Sequence, residues 1–406
     1  MTSTITWIDH DPAARERTLR ILSLFQEKES RDELGLGALR DSFSDALFPG
    51  TNTIQTRLRY MLFIPWTYTN LEKKKIPTEK FSAKARRIEM DLVAPLLENE
   101  DNGGVFGKMA GNNLKRLPSS VYWSGLGAWG IRQINCSQQE YHRHIDDIYR
   151  RRNLTRDCLE DDADTLVQTH TWHTKVPPPP KGFPGKIKKL SFDLEVEEAR
   201  FLLDRLRLSQ GDSLLTWLAL KSKPVDCAFP WEHPDYKRFS KEQRQLLDYG
   251  KFFSTLMHGA AFLYNLMLAE LADRKELVVT HRKNLEDWRS RFKACHPAAL
   301  PLKGLWEITE GRGHTITRQT RTFVQAWHSR VVATRGRVLN DKESRRMVEN
   351  REKQLKGARS RFVNARARDQ WSGEAGTRQL SYRWSGVQIL LADLYAGLKK
   401  GNHAES

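Results

Sequence analysis

The residues with the plainest chemical character lie between Arg335 and Arg368. That stretch holds Arg335, Arg337, Lys342, Arg345, Arg346, Arg351, Lys353, Lys356, Arg359, Arg361, Arg366 and Arg368 against Asp341, Glu343, Glu349 and Glu352. Cations at this density take phosphate oxygens, and guanidinium does so with two parallel bonds. Val348, Leu355 and Phe362 recur at seven residues with Ala358 and Ala365 beside them. The spacing therefore predicts a helix with one narrow apolar seam and Arg and Lys over the rest of its circumference. Such a helix suits a phosphate backbone, with Arg345, Arg346, Arg351, Lys353, Lys356, Arg359 and Arg361 as the expected contacts. A solvated face, or a helix docked on an acidic protein, fits the same charge pattern. The second candidate follows Pro49-Gly50, where Thr53 is placed to cap a helix from about Ile54 to Lys74 that presents Gln55, Arg57, Arg59 and Tyr60 near its start. Arg57 and Arg59 there would contact phosphate together with free backbone amides, or would form a polar network between helices.

Catalytic chemistry finds less to use. Phospholipase-D-type phosphoryl transfer needs H-x-K with an acid at a fixed distance. His173-x-Lys175 runs into prolines, and His281-x-Lys283 is followed by Glu286 and Asp287, one residue short of the pattern. Neither His142 and His144, nor His170 and His173, nor Cys295-His296 has zinc-finger or H-E-x-x-H spacing, so no metal site is expected. Asp193, Glu195, Glu197 and Glu198 sit where acids complement a helix N-terminus. Gly35-x-Gly37 lacks the rest of a dinucleotide fingerprint, Gly103-Gly104 has no following Gly-Lys-Ser/Thr, and no Walker A motif occurs. No catalytic set, metal or cofactor is assigned. Trp231, on the loop Phe229-Pro-Trp-Glu-His-Pro234, is a candidate anchor for a partner, or else a plug over an apolar helix.

The elements that must position these residues read as helices. Asp11-Pro12 starts one over Ala13–Glu29. Gly35-x-Gly37 opens a second through Leu39, Phe43 and Leu47, and others are expected over Thr78–Glu98, Glu195–Arg207, Ser213–Leu220, Val279–Lys293, Thr317–Thr334 and Tyr382–Leu398. Ser240 caps a long apolar helix in which Gly259, Ala260 and Ala261 let a neighbour come close. Phe252–Ala272 approaches membrane-spanning length, but Ser254, Thr255, His258, Asn265 and Glu270 mark it as a buried central helix, so no membrane is expected. Strand patterns are scarce. Pro177 to Pro180 and Pro184 exclude helix and make a stiff polyproline connector. The fold class is mainly α, as two helical domains: residues 1–175, a proline-rich connector at 176–186, and residues 187–406.

With 406 residues, 39% hydrophobic and 29% charged, the chain is long enough to bury a core without staples, and extensive disorder is excluded. Its 67 Lys and Arg against 50 Asp and Glu give +17, which favours a polyanionic partner. Four scattered cysteines and a polar N-terminus point to a reducing, cytoplasmic setting.

Five segments carry a family resemblance: Glu33-Leu-Gly-Leu-Gly-Ala-Leu-Arg40-Asp41; Leu47-Phe-Pro-Gly-Thr51 through Arg57-x-Arg59-Tyr60; Lys115-Arg-Leu-Pro-Ser-Ser120-x-Tyr-Trp123; Val225-Asp-Cys through Phe229-Pro-Trp-Glu-His-Pro234; and Met257-His-Gly-Ala-Ala261 through Tyr264-Asn265. The chain resembles, over its full length, a bacterial family of unknown function whose members look like components of antiphage defence islands near helicase and phospholipase-D-fold genes. The resemblance implies that setting here, with partners such as a helicase, and supplies no catalytic residues. The expectation is a non-enzymatic subunit that contacts nucleic acid, DNA first, as scaffold or recognition component. A divergent phosphodiesterase using His281 and Lys283, or an adaptor binding only protein, are the alternatives.

Overall fold

In a computed structural model of the chain, residues 32–108, 110–158, 170–295, 301–310 and 313–402 are described. Among them regular structure is helical, with one isolated bridge between Arg132 and Trp172 and no strand. The chain is mainly α, as the sequence predicts. The helix expected over Ala13–Glu29 lies outside the described residues, as does His296.

Two compact units divide the chain, and the proline run is not their boundary. Of the described residues, 32–43 and those between 248 and 380 form the first, and those between 44 and 247 and from 381 to 402 the second. The run lies inside the second unit. There the Trp66 indole donates to Pro177 O at 2.6 Å, and Phe183 meets the Trp66 ring edge-on at 5.5 Å. Fixed φ angles make the prolines stiff, but these contacts make them part of a packed wall rather than a connector.

The first unit is built on the later turns of Lys241–Leu271 and on helices Lys275–Ala294, Leu302–Glu310, Arg318–Ala333 and Lys342–Lys356. Three buried tryptophans key into it, each with its N–H satisfied. Trp288 donates to Thr255 O at 2.6 Å, Trp327 to Leu256 O at 3.0 Å and Trp371 to Asn265 Oδ1 at 3.0 Å. Gly259 is what admits Trp288: a Cβ there would stand 2.2 Å from the indole. The small-residue patch thus receives a neighbouring helix, as its composition predicts. The most apolar window of Lys241–Leu271 is long enough to cross a membrane but is 94% buried within the protein.

The second unit centres on helix Tyr60–Lys73, almost wholly buried, with Tyr60 packed against Tyr122, Phe63 and Trp66 against Phe183, and Tyr68 against Trp123, Tyr141 and Trp172. That helix begins six residues later than Thr53 suggests. The intervening chain is a loop because distant side chains take its amides: Thr56 N and Arg57 N donate to Tyr122 Oη, and Leu58 N to Asp393. Helices Val196–Ser209 and Trp384–Asn402 pack closely, Gly397 lying against Leu194 and Ala199 where a Cβ would clash.

Candidate nucleic-acid interface

The basic stretch is not one helix. Its helix runs only over Lys342–Lys356, starting where Asp341 accepts from Ser344 N at 2.8 Å and ending at Gly357, whose φ of 53° is left-handed. Beyond it the Glu352 carboxylate accepts from Arg361 N at 2.9 Å and from Ser360 Oγ, which folds the chain back before the short helix Ala365–Asp369. The seven-residue seam therefore does not continue: Val348 is fully buried, whereas Phe362 lies in a turn with its ring 5.7 Å from that of Tyr264.

The expected phosphate contacts separate into two groups. Arg351 is 3% exposed and faces inward, with Nε donating to Leu34 O at 2.9 Å and a terminal nitrogen to Thr320 Oγ1 at 2.8 Å, its guanidinium over Phe323. Lys356 pairs with Glu33, and burial pushes its ammonium down to about 8. Arg361 joins the same carboxylate at 2.7 Å and donates to Tyr264 Oη at 2.9 Å. Arg345 pairs with Glu270 and donates to Leu339 O. These four are internal ties. Arg346, paired with Glu343, Lys353, paired with Glu349, and exposed Arg359 remain on the outside.

Arg57 and Arg59 prove to be a buried polar network rather than a phosphate cradle. Arg57 pairs with Asp393 at 3.0 Å and Asp101 at 2.8 Å over the Phe192 ring, and Arg59 with Glu198 at 2.7 Å. These pairs hold Arg57 above its usual value even though burial works the other way, and burial itself raises Asp393. Trp231 is 8% exposed, stacked on Phe229 at 4.8 Å, so it is a plug and presents nothing to a partner. His281 is 1% exposed with its ring bonded to Gly373 O at 2.8 Å, whereas Lys283 is exposed. Positions two apart on a helix point away from each other, so the pair cannot act on one phosphate.

What does face solvent is a cleft between Lys275–Ala294 and the turn at 335–341. It has a volume of about 410 Å³ and is lined by Leu285, Glu286, Arg289 and residues 336–341. Consecutive left-handed residues, Arg335 at φ 54° and Gly336 at φ 74°, make the turn, and Arg289 Nε fastens it by donating to Arg335 O at 3.2 Å. Arg335, Arg337 and Lys342 are exposed, and none has an ion-pair partner among the described residues. Asp341, the acid beside them, is already committed: Arg330 and the helix-capping bonds hold its carboxyl well below the usual range. Arg335, Arg337 and Lys342 were countable in the sequence as part of the basic stretch. Nothing local singled them out from the inward-facing cations, and Arg289 carried no sequence signal.

Among the described residues, no group of three or more His, Cys, Asp or Glu is placed to hold a metal ion. No curated protein and no solved structure matches the chain. A family model does match, from residue 2 to residue 397, and with nearly the whole length covered the chain belongs to DUF6361, a family of unknown function.

Proposed function

We propose that this chain contacts nucleic acid through the cleft of its first unit, as a non-enzymatic scaffold or recognition subunit. The reading extends to a bacterial antiphage defence assembly in which a separate helicase or nuclease does the chemistry, a setting that rests on the family resemblance alone. One observation carries the contact itself: Arg335, Arg337 and Lys342 stand exposed, with no ion pair among the described residues, on or beside the turn that forms one wall of an open cleft, whose lining includes Arg337 and Arg289 together with Glu286. Elsewhere in the basic stretch Arg345, Arg346, Lys353, Lys356 and Arg361 are paired with carboxylates. A set left unpaired beside a groove is placed to exchange counterions for phosphates. The net charge of +17 supports encounter with any polyanion and adds no specificity.

The test is fluorescence anisotropy with labelled single- and double-stranded DNA over a salt series, comparing the chain with a variant carrying Arg289→Gln, Arg335→Gln, Arg337→Gln and Lys342→Gln. Binding that falls with salt and is weakened at least tenfold in the folded variant is expected. No binding at low salt overturns the contact and favours the protein-only adaptor, and equal binding by both proteins overturns the cleft as its place.

A further inference from the structure

The proline run continues into a stretch whose charge has one sign. Residues 175–192 hold Lys175, Lys181, Lys186, Lys188 and Lys189 and no acid. All five lysines are exposed, and none has an ion-pair partner among the described residues. The lysines that do pair there are Lys303, Lys353, Lys356 and Lys400. The stretch belongs to the second unit, whereas every residue of the cleft belongs to the first.

Its backbone is pinned at three points. Near the start Pro177 O accepts from the Trp66 indole at 2.6 Å. In the middle Phe183 N donates to Pro180 O at 3.1 Å, which closes a turn over Lys181 and Gly182, the glycine at φ 87°. The Phe183 ring lies 5.5 Å from that of Trp66 and 6.3 Å from that of Phe63. At the end Leu190, 3% exposed, donates its N–H to Pro95 O at 2.9 Å. With the prolines fixing φ as well, the backbone positions that carry the lysines are set before any ligand arrives, so little order is lost on binding.

Five ammonium groups on a fixed backbone, with no carboxylate among them, suit a partner that repeats a negative charge. Lysine lacks the guanidinium fork, so these groups take phosphates singly and read no base. The repeating phosphates belong to a nucleic acid or to an acidic membrane. A polybasic patch holds a membrane stably only with a second, apolar signal, and no large hydrophobic side chain in residues 175–192 is exposed. We propose that residues 175–189 are a second nucleic-acid contact, one that takes the sugar–phosphate backbone without regard to sequence. This contact needs nothing from the cleft, and either one stands if the other fails.

The experiment is fluorescence anisotropy of the full chain with labelled duplexes and single strands of unrelated sequence over a salt series. The parent is compared with a variant carrying Lys175→Gln, Lys181→Gln, Lys186→Gln, Lys188→Gln and Lys189→Gln, and with another carrying Arg at the same five positions. Because all five side chains are exposed, both variants should keep the parent's circular dichroism. The glutamine variant should bind at least tenfold more weakly at low salt, alike for every sequence. Its dependence of log affinity on log salt should be flatter by about 0.9 on duplex, or about 0.7 on single strands, for each phosphate lost. The arginine variant should bind at least as well as the parent. No binding by the parent at low salt, equal binding by the glutamine variant, or a loss that arginine does not restore would each overturn the proposal. Sedimentation with phosphatidylserine vesicles that the glutamines abolish, with DNA binding unchanged, assigns the segment to a membrane and overturns it too. The fourfold glutamine variant of the cleft, run alongside, keeps the two readings apart: weakening there alone leaves the cleft and removes this contact, and weakening here alone does the reverse.

Discussion

At the scale of single residues, burial moves two titrations in opposite directions. Glu89 is buried and accepts from Ser119, whose N and Oγ donate at 2.8 and 2.7 Å, and desolvation pushes its carboxyl up to about 7. The native protein then holds a proton that the unfolded chain has released, so this group costs stability as pH rises from about 4.5 to 7 and the full cost stands above 7. Glu89→Gln should stabilise the protein by about 2 kcal/mol at pH 8 and by little at pH 4.5, read from urea unfolding at both. His258 works the other way. The unfolded chain takes up its proton below about 6.5 and the native state only near 4, so stability falls as pH drops through that window, by up to about 3 kcal/mol. In His258→Phe the acid slope between pH 6.5 and 4 should shrink accordingly. Glu33 is a different case, because it is the shared anion of Lys356 and Arg361. Glu33→Ala leaves Lys356 only the more distant Glu352 at 3.8 Å and Arg361 only the Tyr264 hydroxyl, and should cost about 2–4 kcal/mol in thermal or urea unfolding.

At the scale of elements, the decisive positions are where a helix meets a neighbour or stops. Gly259→Ala drives a methyl into the Trp288 ring and should cost about 1–3 kcal/mol, with a change in tryptophan emission to report the displaced indole. Helix starts were legible in the sequence because caps are local chemistry: Ser213, Ser240 and Thr317 each accept from a backbone N–H three residues on, as their residue types predict. Helix interruptions were not legible, since their causes lie elsewhere in the chain or in the path of the backbone. Nothing near Thr53 announces that Tyr122 and Asp393 will take the next amides, and nothing in the spacing of Val348, Leu355 and Phe362 announces that Glu352 will turn the chain after Gly357. The candidate site suffered likewise. Arg351 and Arg346 look alike in the sequence, and only Leu34 O and Thr320 draw the first inward.

At the scale of the whole molecule, helical spacing and caps foretold the helical class and composition the charge, but neither foretold the partition. Charge acts through the solvent, so its prediction is one of slope: if the cleft meets duplex DNA, every phosphate that the fourfold glutamine variant no longer neutralises should flatten the dependence of log affinity on log salt by about 0.9. Partition depends on which segments find each other, and each unit draws on two separate stretches of chain. The first unit needs residues 32–43 and 248–380 together: Phe43 stacks on Phe253, Arg351 holds Leu34 O, and Ser42 donates to Thr309 O. On the ribosome those early residues emerge long before their partners exist. At about 5–20 residues per second they wait roughly 10–40 s with Leu34, Leu39 and Phe43 uncovered. A transcript cut short before codon 248 would therefore release a chain with an uncovered apolar segment, a substrate for chaperones and proteases rather than a shorter working protein.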